Sequence, residues 1–205
     1  ALVLVDYHGV WQVKRALLFA CFTAFERRAA ADPAVADFDR FVRAGGDTLQ
    51  AFATFEAIAA AHAHVRSTEW PLSLRTPEGD GIAAFRDAHT RAICFAMYLQ
   101  WRADEQLGAA ARRARASGLA LGFYRDLAVG AAPDGAESWS MQPALAQGVS
   151  IGAPPDLFER DGQVWHLPPI KPEALAADGY AVFRALVRAN VRHAGALRID
   201  HVMAL

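Results

Sequence analysis

Ala196-Leu197-Arg198-Ile199-Asp200-His201-Val202-Met203 decides how the 205-residue chain is read. The run Ala-Leu-Arg-Ile-Asp is β-like, with an arginine and an aspartate two positions apart. On a strand, that spacing puts Arg198 and Asp200 on one face, about 7 Å apart along the chain. A guanidinium so close favours the ionised carboxylate. An ionised aspartate at the C-terminal end of a short parallel strand is where an α/β barrel keeps its chemistry. The same residues also suit a structural ion pair that closes a buried strand. The rest of the chain has to decide between the two.

Upstream, Pro172 to Ala194 reads as a helix with Leu175, Tyr180, Val182, Phe183, Leu186, Val187 and Val191 turned inward. Before it, Leu119-Ala120-Leu121-Gly122-Phe123-Tyr124 reads as a buried strand that ends at Arg125-Asp126. Between them lie about 45 residues rich in Gly, Pro and Trp, and connections that long are usually functional. Strand, crossover helix and parallel strand make one βα unit. Asp126 and Asp200 then sit at neighbouring strand ends, about one strand spacing (5 Å) apart.

The first half has a different character. Tyr7 to Arg28 is expected to be helical, with Val10, Val13, Leu17, Leu18, Cys21 and Phe25 on its apolar side. Asp32-Pro33 opens a second helix that should stop at Gly45-Gly46, and Asp47 should cap a third. His62 and His64 at its end do not share a helix face, which argues against a metal site. A loop from Val65 to Gly81 follows, in which Trp70 is expected to pin the chain to the core. A long helix over residues 82–117 ends at Gly118. The fold expected is therefore α/β: a segment of a (β/α)8 barrel, with two parallel strands ending at Asp126 and Asp200. Residues 1–117 would be a helical insertion. Residues 118–205 would be the barrel segment, with a long loop over about 127–171.

Composition narrows the function. A formal net charge of −1 supplies no basic field for nucleic acid. The longest apolar run, Ala16 to Phe25, falls well short of the ~20 residues that span a bilayer, so no membrane partner is expected. Two cysteines, Cys21 and Cys94, lie in apolar helical stretches and read as small buried hydrophobes in a reducing compartment. His166, His193 and His201 with Asp200 match no recognised metal-ligand spacing. Both ends read as internal to a longer enzyme, since the chain opens inside a β-like run and stops just after Asp200.

Three ordered motifs carry a resemblance. Gly122-Phe123-Tyr124-Arg125-Asp126-Leu127-Ala128-Val129-Gly130 resembles the strand-end motif of the 4-α-glucanotransferases (amylomaltases or disproportionating enzymes, glycoside hydrolase family 77). Gly152-Ala153-Pro154-Pro155-Asp156-Leu157-Phe158, with Gly162-Gln163-Val164-Trp165 and Pro168-Pro169, is similar to their substrate-covering loop. Ala196 to Met203 is similar to the segment bearing their nucleophile. Val5-Asp6-Tyr7 and Leu99-Gln100-Trp101 with Gln106 are weaker echoes.

The resemblance implies a retaining transferase of α-1,4-glucan chains acting on maltooligosaccharides, with no cofactor and no metal. It implies Asp200 as the nucleophile, with Arg198 holding it ionised and oriented. His201 would bond a sugar hydroxyl, and Asp126 would support or bind in the same cleft. Asp156, Gln163 and Trp165 would contact the glucan from the loop. The acid/base glutamate of such enzymes lies beyond this chain, so the piece alone is expected to be inactive and to need the missing barrel segments. Cytoplasmic placement follows from the resemblance and the cysteine usage. The loop departs from the family at His166, where glycine is expected. Two other readings stay open: an α-glucan hydrolase of the same clan, and a non-catalytic helical binding or scaffold module.

Overall fold

A computed structural model describes residues 4–62 and 65–201. The first residues of the opening β-like run, His64, and the end of the Arg198-Asp200 segment from Val202 on lie outside the described residues.

Helix α1, Tyr7–Glu26, starts where the Asp6 carboxylate accepts the Gly9 N–H at 2.9 Å, satisfying one of the free donors of the first turn. Asp32 does the same for Ala34 at 2.8 Å and opens helix α2, Pro33–Ala61, with proline in the first turn. The Ala34 N–H, and then the Arg28 guanidinium, hold the Asp32 carboxyl below its ordinary value. The expected stop at Gly45-Gly46 is present: Gly46 leaves helical conformation (φ 50°, ψ −145°), so α2 is two helices that meet there at a kink. The expected helix over 82–117 is broken at His89 into α3, Ile82–Ala88, and α4, Thr90–Ala116.

These helices close around aromatic rings. Phe22 is fully buried and packs on Phe95 and Tyr98 at 5.4 and 5.3 Å, while Phe25 meets Phe38 and Trp101 at 5.4 and 5.3 Å. The core face of α1 is therefore Leu18, Phe19, Phe22 and Phe25; Val10, Val13 and Leu17 are exposed, and so is Cys21. The large rings have more area to bury than the aliphatic stripe, so they decide which way the helix turns. A second cluster joins Phe55, Ile58, Trp70, Leu74 and Ile82 to Trp139 from the other half of the chain. Both tryptophans are 1% exposed; Trp70 donates its indole N–H to the Val65 carbonyl (3.2 Å) and Trp139 donates to that of Leu74 (3.0 Å).

After Gly118 the chain forms strand β1, Tyr124–Leu127, later than the stretch read as a strand; Leu119 and Leu121 stay exposed. Then come α5, Ala136–Ser140, β2, Ile151–Ala153, and β3, Gln163–Leu167. Helix α6, Pro172–Ala177, and helix α7, Ala181–Val191, are split at Tyr180, whose φ is 61°, and β4, Ala196–Ile199, ends the described order. The span 127–171 is thus structured, its C-terminal end tied back to its middle by Ala146 N–H to Pro169 O (2.9 Å) and Lys171 N–H to Ala144 O (2.8 Å).

The barrel expectation is corrected here. The described strands form two separate two-stranded sheets, parallel β1–β4 and antiparallel β2–β3. Closing a barrel requires every strand to be paired along both edges. Each of these strands has one partner, so both sheets are open. Gly195 allows β4 to approach the preceding chain: a Cβ there would collide with the Leu121 carbonyl.

Candidate functional site

The parallel register of β1 and β4 pairs Asp126 with Arg198. Residues in register share a face. Asp200 lies just past the end of β4 and two residues from Arg198, so it shares that face as well. The Arg198 guanidinium spans the two carboxylates, donating through Nη1 to Asp126 Oδ2 (3.1 Å) and through Nη2 to Asp200 Oδ1 (3.0 Å). A planar fork with five donors suits this shared grip better than an ammonium would. All three side chains remain accessible, at 48, 60 and 37% for Arg198, Asp126 and Asp200.

His201 follows with φ 48°, and its Nε2 lies 3.5 Å from Asp200 Oδ2, a contact too long for a firm hydrogen bond. Its ring meets Trp165 edge-on, with centroids 4.6 Å apart and planes at 63°. The Trp165 N–H donates to Gln163 Oε1 at 2.9 Å. Every expected site residue except Asp156 is therefore in one chain of contacts running from Asp126 to Gln163.

Asp156 is occupied locally. Its Oδ1 accepts the N–H groups of Phe158 and Glu159, both at 2.7 Å, and those bonds, that of Glu159 first, hold its carboxyl below the ordinary value. The turn it builds presents Leu157 and Phe158 to solvent at 95 and 97% exposure. In the β2–β3 pair, the strands approach closely at Gly152, where a Cβ would strike the Gln163 carbonyl. A cavity of about 900 Å³ meets this hairpin at Val164 and His166, and is bordered also by Arg66, Arg75, Ser138 and Gln142. It does not include the Arg198 cluster.

One supporting contact could not be read from the sequence. Asp104 on α4 takes His193 Nε2 at 2.7 Å and Arg192 Nη2 at 2.9 Å, tying the end of α7, just before β4, to the helical half. His193 and Asp104 are 89 residues apart, and no local pattern links them. Trp139 and Trp165, the two tryptophans of the long connection, have different surroundings: the first is a buried anchor, the second lies beside the carboxylate cluster. Among the described residues, no group of three or more His, Cys, Asp or Glu could hold a metal ion, and no helix is long and apolar enough to cross a membrane.

Residues 1–205 match the family model described as 4-alpha-glucanotransferase, and the chain belongs to that family. It is 44% identical over 201 residues to the 4-alpha-glucanotransferase of Mycobacterium tuberculosis, covering 98% of this chain and 27% of that protein. With the Haemophilus influenzae 4-alpha-glucanotransferase the identity is 35% over 211 residues, covering 98% and 30%. The crystal structure of amylomaltase from Corynebacterium glutamicum superposes with a TM-score of 0.76 at 35% identity, over 96% of this chain and 25% of that one. The chain thus spans less than a third of each of these relatives.

Proposed function

We propose that this chain is the nucleophile-bearing segment of a retaining 4-α-glucanotransferase that moves α-1,4-glucan chains between maltooligosaccharides. The observation that carries the reading is the guanidinium of Arg198, shared by Asp126 and Asp200 on adjacent strands, in a chain of that family. Asp200 is the nucleophile. One of its oxygens attacks the anomeric carbon as the glycosidic bond breaks, giving a covalent glucosyl-enzyme. The leaving sugar oxygen takes a proton from an acid supplied by the longer protein. A hydroxyl of a second sugar then displaces Asp200 and gives its proton back to that group, so the configuration is retained.

Arg198 orients Asp200 and balances two facing carboxylate charges, and Asp126 anchors the far side of that guanidinium. His201 reaches a sugar hydroxyl beside the reacting carbon. Trp165 offers an apolar face with a polar edge to the glucan, with Gln163 fixing its indole N–H and Asp156 shaping the adjoining turn. The division into a helical unit, 1–117, and a site-bearing unit, 118–205, belongs to the same proposal. So does cytoplasmic placement, which suits two free cysteines.

The test incubates the full-length protein, as wild type and as Asp200→Asn, with maltotriose and resolves products by chain length. Glucose plus a ladder of longer maltooligosaccharides from wild type alone is the expected result. Glucose and maltose without longer products would make the protein a hydrolase. An Asp200→Asn variant as active as wild type would remove the nucleophile assignment.

A further inference from the structure

Strands β2 and β3 do not pair residue for residue. Ile151 opposes Leu167 and Gly152 opposes Val164, so Trp165 and His166 have no partner on β2. Extra residues on one strand bend it and re-aim a side chain. The bend has a definite location. His166 sits at φ 59°, in the left-handed region that residues with a Cβ enter rarely; His, Asn and Asp tolerate it better, and β-branched residues are genuine outliers there.

The side chains around the bend alternate, as on any strand. Val164 and His166 border the large cavity, whereas Trp165 lies edge-on to His201 and bonds Gln163. The His166 imidazole is exposed and makes no hydrogen bond or ring contact among the described residues. We infer that His166 is a positioning residue: its left-handed turn sets the Trp165 indole against the His201 ring and thereby holds the hairpin beside Asp200. Any residue that accepts a positive φ preserves this arrangement, and one that refuses it does not.

The kinetic part of the test rests on the transferase reading, and the spectroscopic part does not. The full-length protein is labelled with ¹³C-histidine, and the His201 ring signal is assigned by its loss in His201→Gln. The ring-current displacement from Trp165 is identified by its collapse in Trp165→Ala. His166→Gly and His166→Asn are expected to keep that displacement, and His166→Val to lose it. With maltotriose, His166→Val should raise KM about three- to tenfold, the scale of one lost aromatic contact, with kcat changed less. In a Trp165→Ala background the same substitution should add nothing further.

Loss of the displacement in His166→Gly and His166→Asn would overturn the inference, because the imidazole and not the backbone turn would then matter. Retention in His166→Val would overturn it equally. Should the valine variant fail to fold, the glycine and asparagine variants still decide. Wild type without chain transfer would remove the proposed function, while the ring-current comparison would continue to test the positioning role.

Discussion

The helical half and the half that carries the site are built on opposite principles. From α1 to α4, rings from three helices interlock and Phe22, Ala53 and Ile58 are fully enclosed. Among the described residues from 118 onward, only Leu127, Ser138, Trp139, Leu145 and Leu175 are buried, and Ser138 and Trp139 belong to α5, whose tryptophan joins a helical cluster. The carboxylates, the guanidinium and the Trp165 hairpin all stay accessible. Hydrophobic burial concentrates where no chemistry is expected, and the polar groups proposed to meet the glucan are held by hydrogen bonds on short strands. Stability and activity should therefore respond to different residues.

The largest expected separation comes from Phe22→Ala, which empties the aromatic centre and should cost about 3–5 kcal/mol in denaturant unfolding. KM for maltotriose at permissive temperature should not move; a KM change matching the stability loss would merge the two regions. Arg198→Ala should do the reverse. It leaves Asp126 and Asp200 facing each other without their shared cation, and kcat should fall on the order of 10²–10³-fold. Because the pair is exposed, unfolding stability should change by less than about 1 kcal/mol.

Asp104→Asn tests the tie between the halves. Weakening its bonds to His193 and Arg192 should cost about 1 kcal/mol and also lower activity modestly, since β4 begins directly after that contact. An activity effect with no stability effect would place Asp104 in the site itself.

The smallest effect is electrostatic. Hydrogen bonds from Arg91, and then its charge, hold the Glu26 carboxyl below its ordinary value. A carboxyl depressed in the folded state contributes stability that is complete above the unfolded value and lost as pH falls through the folded one. Glu26→Gln should thus flatten the decline in Tm on acidification through and below the ordinary carboxylate range near 4.5. An unchanged pH profile would show that the pair contributes nothing.

Local spacing made much of the candidate site legible. Arg198 and Asp200 two apart, and Asp126 on the neighbouring strand, follow from strand periodicity, whereas Gln163 and Trp165 came only from the family resemblance. What escaped depends on distant or conformational information. Periodicity put Val10, Val13 and Leu17 of α1 inward, but rings on α4 drew Phe19 and Phe22 in instead. It also ran one helix through residues 172–194, although Gly179 takes φ 62° and the Asp178 carboxylate caps the next helix at Ala181 (3.1 Å), a stop signal present in the sequence. The expectation of a barrel came from treating two strand ends as part of a closed sheet; the strands present make two open pairs. The left-handed turn at His166 depends on strand register, which no residue-by-residue propensity encodes.

Direct trapping tests whether Asp200 forms the covalent link to glucose. The full-length protein would be treated with 5-fluoro-α-D-glucopyranosyl fluoride, a slow substrate for retaining enzymes, then digested and sequenced by mass spectrometry. A fluoroglucosyl adduct on Asp200 is expected, absent when excess maltotriose is added to turn the intermediate over. An adduct on Asp126, or an active enzyme whose Asp200 peptide is never labelled, would contradict the nucleophile assignment.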